Sequence, residues 1–385
     1  VLDARTGRVV ALASAPSYDP SVFVGGLSTE QYAELVDEAR GAPLLSRTVQ
    51  GAYAPASTFK VVSTAAAVES GDYPLLGRYP CPGEYAPLGG KRNFEGRGLG
   101  DIDLREALVQ SCDTVYYAFA YEQWLRDGGN SPVASPRDPV LAMARGFGFG
   151  ERTGVDLPGE RRGTVPDRAF LRARWEEQRG TRCARADDPA RSEAQRRADR
   201  EFCDDGGRLR AGDVANVAVG QGDLLVTPLQ LATAYAAVAN GGTLWSPRVG
   251  RALVAPGGAV TEIAPEVRGT LPVSPEVLGY VRDALAAVTT EGTAAGAFAG
   301  LPLPVAGKTG TGEVAGKQDT SWFASYAPAD DPRLVVVGVV SQGGTGGSVA
   351  APMVRRVYEG VWGLGGQPAA LPDGRLPEGL PQVRR

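Results

Sequence analysis

The order of strand-like and helix-like segments along the chain is the feature that most constrains its fold. Residues 1–14 form a pattern typical of two short strands joined by a turn, and three further strand-like runs lie near the other end, at 305–314, 321–327 and 334–340. A long helix-rich block separates the two groups. The sequence therefore predicts an α/β (α+β) fold, with one sheet assembled from both chain ends and an inserted helical lobe.

Local signals refine this outline. The run 334–340 is nearly all valine, which suits a central strand buried on both faces. N-cap residues, proline at the first helical position and terminating glycines mark where helices begin and end. Three helices are predicted to begin directly after Ser28, Thr227 and Ser274. Four others are predicted at 57–70, 104–109, 114–125 and 349–362.

We divide the chain into a domain at 1–365, with a helical lobe at roughly 72–240, and a tail rich in proline and glycine at 366–385. Within the lobe, residues 160–210 contain 14 arginines and 11 acidic residues but few large apolar side chains. This composition predicts a solvated, partly flexible insertion rather than a nucleic-acid patch. Cys183 and Cys203 bracket part of it, and the sequence leaves open whether they form a disulfide.

Composition excludes several classes of function. The chain contains no histidine, so it has no Ser-His-Asp triad, no Cys-His dyad and no imidazole base. The four cysteines have no CxxC spacing, and we expect neither a metal site nor a cofactor. The formal net charge is −4, which gives no basic field for nucleic acid.

The chain begins without methionine inside a strand-like run, and no run of about 18 apolar residues is present. We therefore interpret it as a fragment of a longer protein.

Lysine is scarce in this chain, and that scarcity makes each lysine informative. Among 40 basic residues the only lysines are Lys60, Lys91, Lys308 and Lys317, and the others are arginine. An arginine side chain keeps its proton, whereas a buried lysine can be tuned to act as a base. Each lysine is therefore a candidate for chemistry that arginine cannot perform.

The first motif is Ser57-Thr58-Phe59-Lys60. If a helix begins at Ser57, Lys60 lies one turn later on the same face. Burial and nearby positive charge can lower the pKa of a lysine enough for it to deprotonate a serine. Taken alone, the motif is more typical of a capping serine followed by an exposed lysine.

The second motif is Lys308-Thr309-Gly310-Thr311. A nucleotide-binding P-loop would need glycine at position 302, where the chain has Pro302. On a strand, these residues could present a lysine, two hydroxyls and a backbone N–H to a carboxylate or an oxyanion. Gly310 would allow the backbone of the strand to approach a ligand closely. The alternative is an ordinary strand with an exposed lysine.

The third motif is Ser111-Cys112-Asp113, placed between two predicted helices. Ser111 could relay a proton between a base and a leaving amine, and Asp113 could hold a lysine or accept a hydrogen bond from a substrate amide. Alone, the motif is more typical of a turn between two helices in which a serine and an aspartate cap the helix ends.

Together, Ser-x-x-Lys, Ser-x-Asp and Lys-Thr-Gly, in this order, resemble the active-site set of the penicillin-interacting serine enzymes. Longer blocks resemble the class B penicillin-binding proteins: "GAYAPASTFK", "QSCDTVYYAFA", "VAVGQGDLLVTPLQLATAYAAVANGGTL", "AGKTGTGEV" and the opening "VLDARTGRVVALASAPSYDP". The resemblance covers residues 1 to about 362. Asp113, where division-type members usually carry Asn, is similar to the elongation-type subgroup. The departures are the insertion 160–210 and "APAST", where Pro-Gly-Ser-Thr is common.

The resemblance implies a penicillin-binding/serine β-lactamase-like fold, with a mainly antiparallel sheet flanked by helices and an active site in the cleft beside the helical lobe. It further implies that a membrane anchor and a pedestal domain precede this transpeptidase domain. The domain would then lie on the extracytoplasmic face of the cell membrane, where it would act in cell-wall synthesis and cell shape.

The resemblance also assigns roles by position. It implies that Ser57 is the acylated nucleophile, Lys60 its base, and Ser111 the relay that passes a proton to the departing D-alanine. Asp113 would align the lysines and the substrate amide, and Lys308 would bias the proton network. Thr309 and Thr311, with Gly310 between them, would bind the terminal carboxylate of the substrate. The backbone N–H groups of Ser57 and Thr311 would form the oxyanion hole. Gly220-Gln221-Gly222 would support the cleft from the lobe.

The implied function is a peptidoglycan D,D-transpeptidase that forms peptide cross-links with release of D-alanine. Its partners would be stem peptides ending in D-Ala-D-Ala, β-lactam antibiotics and a membrane glycan polymerase. Two rival interpretations remain open: a β-lactamase or D,D-carboxypeptidase, in which water deacylates the enzyme, and a non-catalytic penicillin-binding sensor.

Overall fold

A computed structural model describes residues 1–365, and the predicted tail at 366–385 lies outside the described residues. The helices, numbered along the chain, are α1 Thr29–Val36, α2 Lys60–Glu69, α3 Leu104–Val109, α4 Thr114–Arg126, α5 Pro139–Gly146, α6 Arg168–Ala184, α7 Glu193–Asp205, α8 Ala211–Ala218, α9 Pro228–Ala239, α10 Pro275–Val288, α11 Ala295–Phe298 and α12 Ala351–Trp362.

The strands are short except for three near the C-terminal end of the described chain. They are β1 Leu2–Asp3, β2 Tyr79–Cys81, β3 Glu84–Tyr85, β4 Lys91–Arg92, β5 Gly100–Ile102, β6 Thr243–Ser246, β7 Ala252–Val254, β8 Val260–Glu262, β9 Glu266–Thr270, β10 Ala306–Gly312, β11 Thr320–Ala327 and β12 Leu334–Val340.

The main sheet has the strand order β1–β12–β11–β10, and every neighbouring pair is antiparallel. It therefore joins the first residues of the chain to the last three strands, as the sequence predicts. Within β11 the side chains alternate between two cores. Trp322 and Tyr326 pack in the larger core with α2 and α9, whereas Phe323 packs on the opposite face with α11 and α12.

The predicted hairpin at the N-terminus forms only in part. β1 pairs with β12, and the turn after it is fixed by Asp3, whose carboxylate accepts hydrogen bonds from the N–H groups of Arg5 and Thr6. The expected second strand does not form as a regular strand: Val9 makes an isolated bridge to Leu2, and its N–H donates to Arg248 O. Hydrogen bonds from the N–H of Asp3 to Arg8 O and from the N–H of Val10 to Val1 O still join the two segments of the hairpin.

Most predicted helix boundaries are confirmed to within a few residues. Ser28, Thr227 and Ser274 are N-caps whose side chains accept hydrogen bonds from backbone N–H groups in the first turn. α9 is the least exposed helix of these three, since all its residues are buried. It packs on β11 and β12. The structure therefore places this helix with the sheet, although the sequence assigned it to the lobe that ends near 240.

The arginine-rich insertion is more ordered than the sequence predicts. Most of it forms α6 and α7, which pack side by side and are joined by a disulfide between Cys183 and Cys203. Asp199, almost fully buried, is 2.8 Å from Arg182 Nε and 3.2 Å from Arg191 Nε. Few apolar side chains of this helical pair are buried, Leu171 and Phe202 among them. Ion pairs and the disulfide, rather than an apolar core, hold the two helices together.

A second disulfide joins Cys81 at the end of β2 to Cys112 in the turn between α3 and α4. The sequence analysis did not predict this pairing. Within residues 1–365, no helix combines the length and the apolar character needed to cross a membrane.

Candidate active site

Ser57 lies in a short 3₁₀ turn, Ala56–Phe59, that leads directly into α2. It is partly exposed and does not act as a cap, because the N-cap of α2 is Phe59 and makes no side-chain capping bond. Lys60, the first residue of α2, is completely buried. The interpretation of this motif as a capping serine and an exposed lysine is therefore wrong.

The backbone just before Ser57 has an unusual conformation. Ala56 has φ of +52°, in the left-handed region that L-residues rarely adopt. Its N–H donates to Gly220 O at 2.8 Å. Gly220, with φ of +75°, fits so closely that an added Cβ would lie 2.1 Å from Ala56 O. Gly220 thus lets the lobe hold the turn that carries Ser57.

Lys60 joins the first motif to the third. Its Nζ donates to Ser111 O at 2.7 Å and to Ser111 Oγ at 3.1 Å, and it lies 2.7 Å from Asp113 Oδ1. Asp113 is at the N-cap position of α4 but makes no capping bond, since its carboxylate faces Lys60. Burial lowers the pKa of Lys60, although the charge of Asp113 opposes this shift.

Lys308 supplies the second buried amine. It lies on β10, its side chain is fully buried, and its Nζ has Thr309 O as a hydrogen-bond acceptor at 3.4 Å. Desolvation lowers the pKa of Lys308 well below the usual lysine value, and the positive charge of Lys60 lowers it further. The two buried amines, of Lys60 and Lys308, thus interact electrostatically, and each disfavours protonation of the other.

β10 is the edge strand of the main sheet, so one side of its backbone is free of sheet pairing. Thr309 and Thr311 line the cleft beside this edge. Thr309 Oγ1 is 2.6 Å from Thr293 Oγ1, and Thr311 Oγ1 accepts a hydrogen bond from the N–H of Gly346. Both hydroxyls are therefore held in place on the same wall.

Gly310 permits a close approach within the protein. A Cβ there would lie 3.0 Å from Pro55 O, 3.1 Å from Thr58 Cγ2 and 3.1 Å from Trp322 Cβ. This glycine thus lets β10 pack closely against the segment around Ser57, and the approach of a ligand to its backbone stays a prediction. A larger residue at this position would push β10 away from the turn that carries the serine.

The motifs meet at one cleft with a volume of about 580 Å³. From the predicted set, Ser57, Ser111, Asp113, Thr309 and Thr311 line it. Lys60 and Lys308 lie buried beside this lining. The structure thus brings together three motifs that are spread over residues 57–311 of the sequence.

Among the other cleft residues, the sequence analysis assigned Gln221 to supporting the cleft but gave no role to Lys91 or Asn216. Lys91 lines the cleft, and its Nζ donates to Asn216 Oδ1 at 2.7 Å. Gln221 Nε2 donates to Thr311 O at 3.1 Å and so connects the lobe to the edge strand. The scarcity of lysine was a signal for Lys91, whereas no local pattern marked Asn216. Lys317 is exposed and does not line the cleft.

The described residues contain no group of three or more acidic or cysteine side chains that could hold a metal ion. Both disulfides also remove all four cysteines from the set of candidate ligands.

Comparison with known families agrees with the geometry of the cleft. Residues 1–359 match the model described as "Penicillin binding protein transpeptidase domain". The chain belongs to this family. Among curated members, this penicillin-binding protein is 32% identical to the peptidoglycan D,D-transpeptidase MrdA of Haemophilus influenzae over 388 residues, which cover 93% of the chain and 52% of that protein. It is 29% identical to PbpA of Mycolicibacterium smegmatis, covering 92% of the chain and 64% of that protein.

Solved structures of the family have the same fold. Pseudomonas aeruginosa PBP2 in complex with WCK 5153 superposes with a TM-score of 0.73 at 29% identity, covering 97% of this chain and 75% of that one. Penicillin-binding protein A of M. tuberculosis, as a ceftriaxone acyl-enzyme complex, gives 0.68 at 25% identity, covering 93% and 72%. A peptidoglycan synthase complex contains a chain with a TM-score of 0.73 at 31% identity, covering 96% and 56%.

These comparisons confirm the prediction that the chain is a class B penicillin-binding protein of the elongation type. They also confirm the predicted penicillin-binding/serine β-lactamase-like fold. The chain spans about half the length of the first curated relatives it matches.

Proposed function

We propose that this chain is the catalytic domain of a peptidoglycan D,D-transpeptidase. It would attack the D-Ala–D-Ala bond of a stem peptide, release D-alanine and pass the acyl group to the amine of a neighbouring stem. The domain at 1–365, with its lobe and insertion, would be the catalytic unit of a longer protein. The names of the curated relatives support the same reaction.

One observation carries this proposal: the fully buried amine of Lys60, one turn after Ser57, bonds to Ser111 Oγ and Asp113 Oδ1. A serine hydroxyl needs a base, and the chain has no histidine. Burial lowers the pKa of Lys60, so this amine is neutral at lower pH than an ordinary lysine and can then accept that proton.

The other site residues take complementary roles in the proposal. Ser111, hydrogen-bonded to Lys60, would pass the proton on to the departing D-alanine. Asp113 would align the two lysines and the substrate amide, and Lys308 would bias the proton network. The hydroxyls of Thr309 and Thr311 would bind the terminal carboxylate of the stem peptide. The N–H groups of Ser57 and Thr311 would stabilise the tetrahedral oxyanion.

We infer the partners and the location from the same chemistry. A β-lactam would acylate Ser57 because its ring amide resembles the scissile bond, and relatives are described as β-lactam acyl-enzyme complexes. Relatives also occur in a peptidoglycan synthase complex and in a complex with MreC, which supports a glycan polymerase as a partner. Two disulfides favour an oxidising compartment and thus the extracytoplasmic face of the cell membrane.

Mass spectrometry after incubation with penicillin tests the proposal. We expect one covalent adduct per chain, located on Ser57, and no adduct on the Ser57→Ala variant, which should unfold at the same temperature as the unaltered protein. A full-stoichiometry adduct on Ser57→Ala would exclude this serine as the nucleophile.

A second assay separates the proposed reaction from its rivals. The protein is incubated with a D-Ala-D-Ala stem peptide and an acceptor amine, and cross-linked product and free D-alanine are measured. Repeated turnover of a chromogenic cephalosporin would instead identify a β-lactamase. Acylation by penicillin without any turnover of stem peptide would favour the sensor.

A further inference from the structure

The turn Ser111–Asp113 carries two groups of the cleft, yet its backbone is under strain. Ser111 has φ of +61°, a conformation that a serine rarely adopts. The turn lies between α3 and α4 and so has no strand partner on either side. Something other than local preference must therefore hold Ser111 and Asp113 in contact with Lys60.

A disulfide reaches the middle of this turn. Cys112 lies between Ser111 and Asp113 and is bonded to Cys81, at the end of β2. Both cysteines are almost completely buried, with exposed fractions of 2% and 0%. The covalent bond thus ties the turn to a segment that follows α2 in the chain and packs beside the cleft.

A side chain of the same segment makes a second link. Asn93 Oδ1 accepts hydrogen bonds from the N–H of Asp113 at 2.8 Å and from the N–H of Thr114 at 3.0 Å. Its Nδ2 donates to Pro82 O at 2.9 Å and to Arg97 O at 2.8 Å. The buried amide of Asn93 therefore holds the start of α4 against the loop that begins at Cys81.

We propose that the Cys81–Cys112 disulfide and the side chain of Asn93 form a latch that holds Ser111 and Asp113 in the geometry required for acylation of Ser57. The latch residues are positioning residues, since they act through Ser111 and Asp113 and do not contact the reacting atoms. This inference rests on the proposed function. Its consequence is that the latch sets the rate of acylation.

The chain itself contains a matched control. The other disulfide, Cys183–Cys203, joins α6 to α7. None of the cleft-lining residues belongs to these two helices. Removing either disulfide deletes one covalent link from the protein, but only one of the two links reaches the cleft. A general effect of disulfides on stability would therefore appear in both variants, and an effect on positioning in only one.

The test measures the acylation of Ser57 by a fluorescent penicillin in the 385-residue chain. Two double variants are compared with the unaltered protein: Cys81→Ala/Cys112→Ala, and the control Cys183→Ala/Cys203→Ala. For each, the acylation rate constant, the final labelling stoichiometry and the melting temperature are recorded. We expect the latch variant to reach full stoichiometry with a rate constant at least tenfold lower, and the control variant to stay within twofold of the unaltered protein.

The split between rate and stoichiometry separates positioning from folding. A merely structural role would lower the fraction of chains that can be labelled, while the folded fraction would react at the normal rate. The Asn93→Ala variant keeps both disulfides and should also slow acylation at least fivefold. If the variant Cys81→Ala/Cys112→Ala does not fold, the acylation rate of Asn93→Ala alone decides whether the latch positions Ser111 and Asp113.

Acylation of Asn93→Ala and of the folded latch variant at the normal rate would overturn the inference. Equal slowing in the latch and control variants would overturn it as well. If the unaltered protein is not labelled by penicillin at all, the proposed function fails, and this outcome is distinct from a failure of the latch alone.

Discussion

Lys60 and Lys308 are both fully buried, although lysine is rarely buried without a specific partner. Lys60 has such partners in Ser111 and Asp113, whereas the structure gives Lys308 little more than a long contact to its neighbour's carbonyl. This asymmetry has a chemical meaning. In the proposed mechanism, the contact with Asp113 orients Lys60 for proton transfer, and Lys308 biases the proton network.

Replacing Lys60 by arginine tests its role as a base. We expect Lys60→Arg to lower the acylation rate constant about as much as Lys60→Ala, on the order of 10²–10⁴-fold, because arginine keeps the charge but cannot give up its proton. The measurement is the rate of penicillin labelling at neutral pH. If Lys60→Arg retained most of the rate, Lys60 would be a structural cation and not a base.

The pH dependence of the unaltered protein gives an independent check. A base must be neutral to accept a proton, and burial lowers the pKa of Lys60, so its neutral fraction extends to lower pH than for an ordinary lysine. Acylation should therefore persist below the usual lysine pKa and fall only as pH drops through the lowered pKa of Lys60. A rate that rises steeply only near pH 10 would contradict this expectation.

Ala56 offers a prediction about strain. Its φ of +52° costs an alanine roughly 1–2 kcal/mol. Glycine adopts this conformation freely but loses roughly 0.5–1 kcal/mol in chain entropy on folding. We therefore expect Ala56→Gly to leave the free energy of unfolding unchanged or to raise it by up to about 1.5 kcal/mol, measured by chemical denaturation. This also explains why glycine is common here in the family that the motif resembles.

A matched substitution controls for the general effect of glycine. Ala66→Gly changes a residue in the middle of α2, where glycine is unfavourable by roughly 1 kcal/mol relative to alanine. If Ala56→Gly destabilised the protein as much as Ala66→Gly does, the strain argument at Ala56 would be rejected.

At the scale of elements, α6 and α7 form a unit that the sequence described only in part. The composition predicted few buried apolar residues, and most of the unit's arginines and acids are indeed at the surface. However, the pairing of the two helices depends on contacts between residues far apart in sequence, such as Arg182 with Asp199 and with the ring of Phe202. Composition alone could not reveal that these charges are matched across two helices.

Limited proteolysis tests the independence of this unit. The connection between the helices, residues 185–192, contains the exposed Arg185, whereas arginines inside a helix resist cleavage. We expect the first tryptic cut in this connection, with full acylation of Ser57 afterwards. The two fragments should separate on a denaturing gel only after reduction, because the Cys183–Cys203 disulfide joins them.

The variant Cys183→Ala/Cys203→Ala supplies the control, since its fragments should separate without reductant. A first cut within 57–125, or loss of penicillin labelling after cleavage at 185–192, would mean that α6 and α7 form part of the cleft wall.

At the scale of the whole molecule, the cleft depends on contacts between the sheet and the lobe. Gly220 O accepts a hydrogen bond from the N–H of Ala56, and Gln221 Nε2 donates one to Thr311 O. One loop of the lobe therefore contacts both the turn that carries Ser57 and the edge strand β10. In the proposed mechanism, the reacting groups are amines and hydroxyls of the protein. That mechanism requires no added metal.

Chelation tests that conclusion on the intact protein. The chain has no histidine, and all its cysteines are in disulfides. We expect incubation with EDTA to leave the rate of penicillin acylation unchanged within experimental error. Loss of the rate on chelation, with recovery on addition of zinc, would show that the protein uses a metal.

The sequence by itself determined the elements and the candidate chemistry. Helix caps such as Thr227 and Ser274 act within one turn, so a few neighbouring residues suffice to predict them. The valine-rich run that forms β12 was predictable for the same reason. The three motifs were identifiable because histidine is absent and lysine is scarce, which leaves few residues able to act as a base.

Only the tertiary structure decided the properties that make those motifs a site. The burial of Lys60, the contact between Gly310 and the segment of Ser57, and the pairing of Cys81 with Cys112 each join parts of the chain that are distant in sequence. A pKa depends on desolvation and on neighbouring charges, and both come from residues brought together by folding. For this reason the sequence could name the reacting groups, but only packing could set their protonation and their orientation.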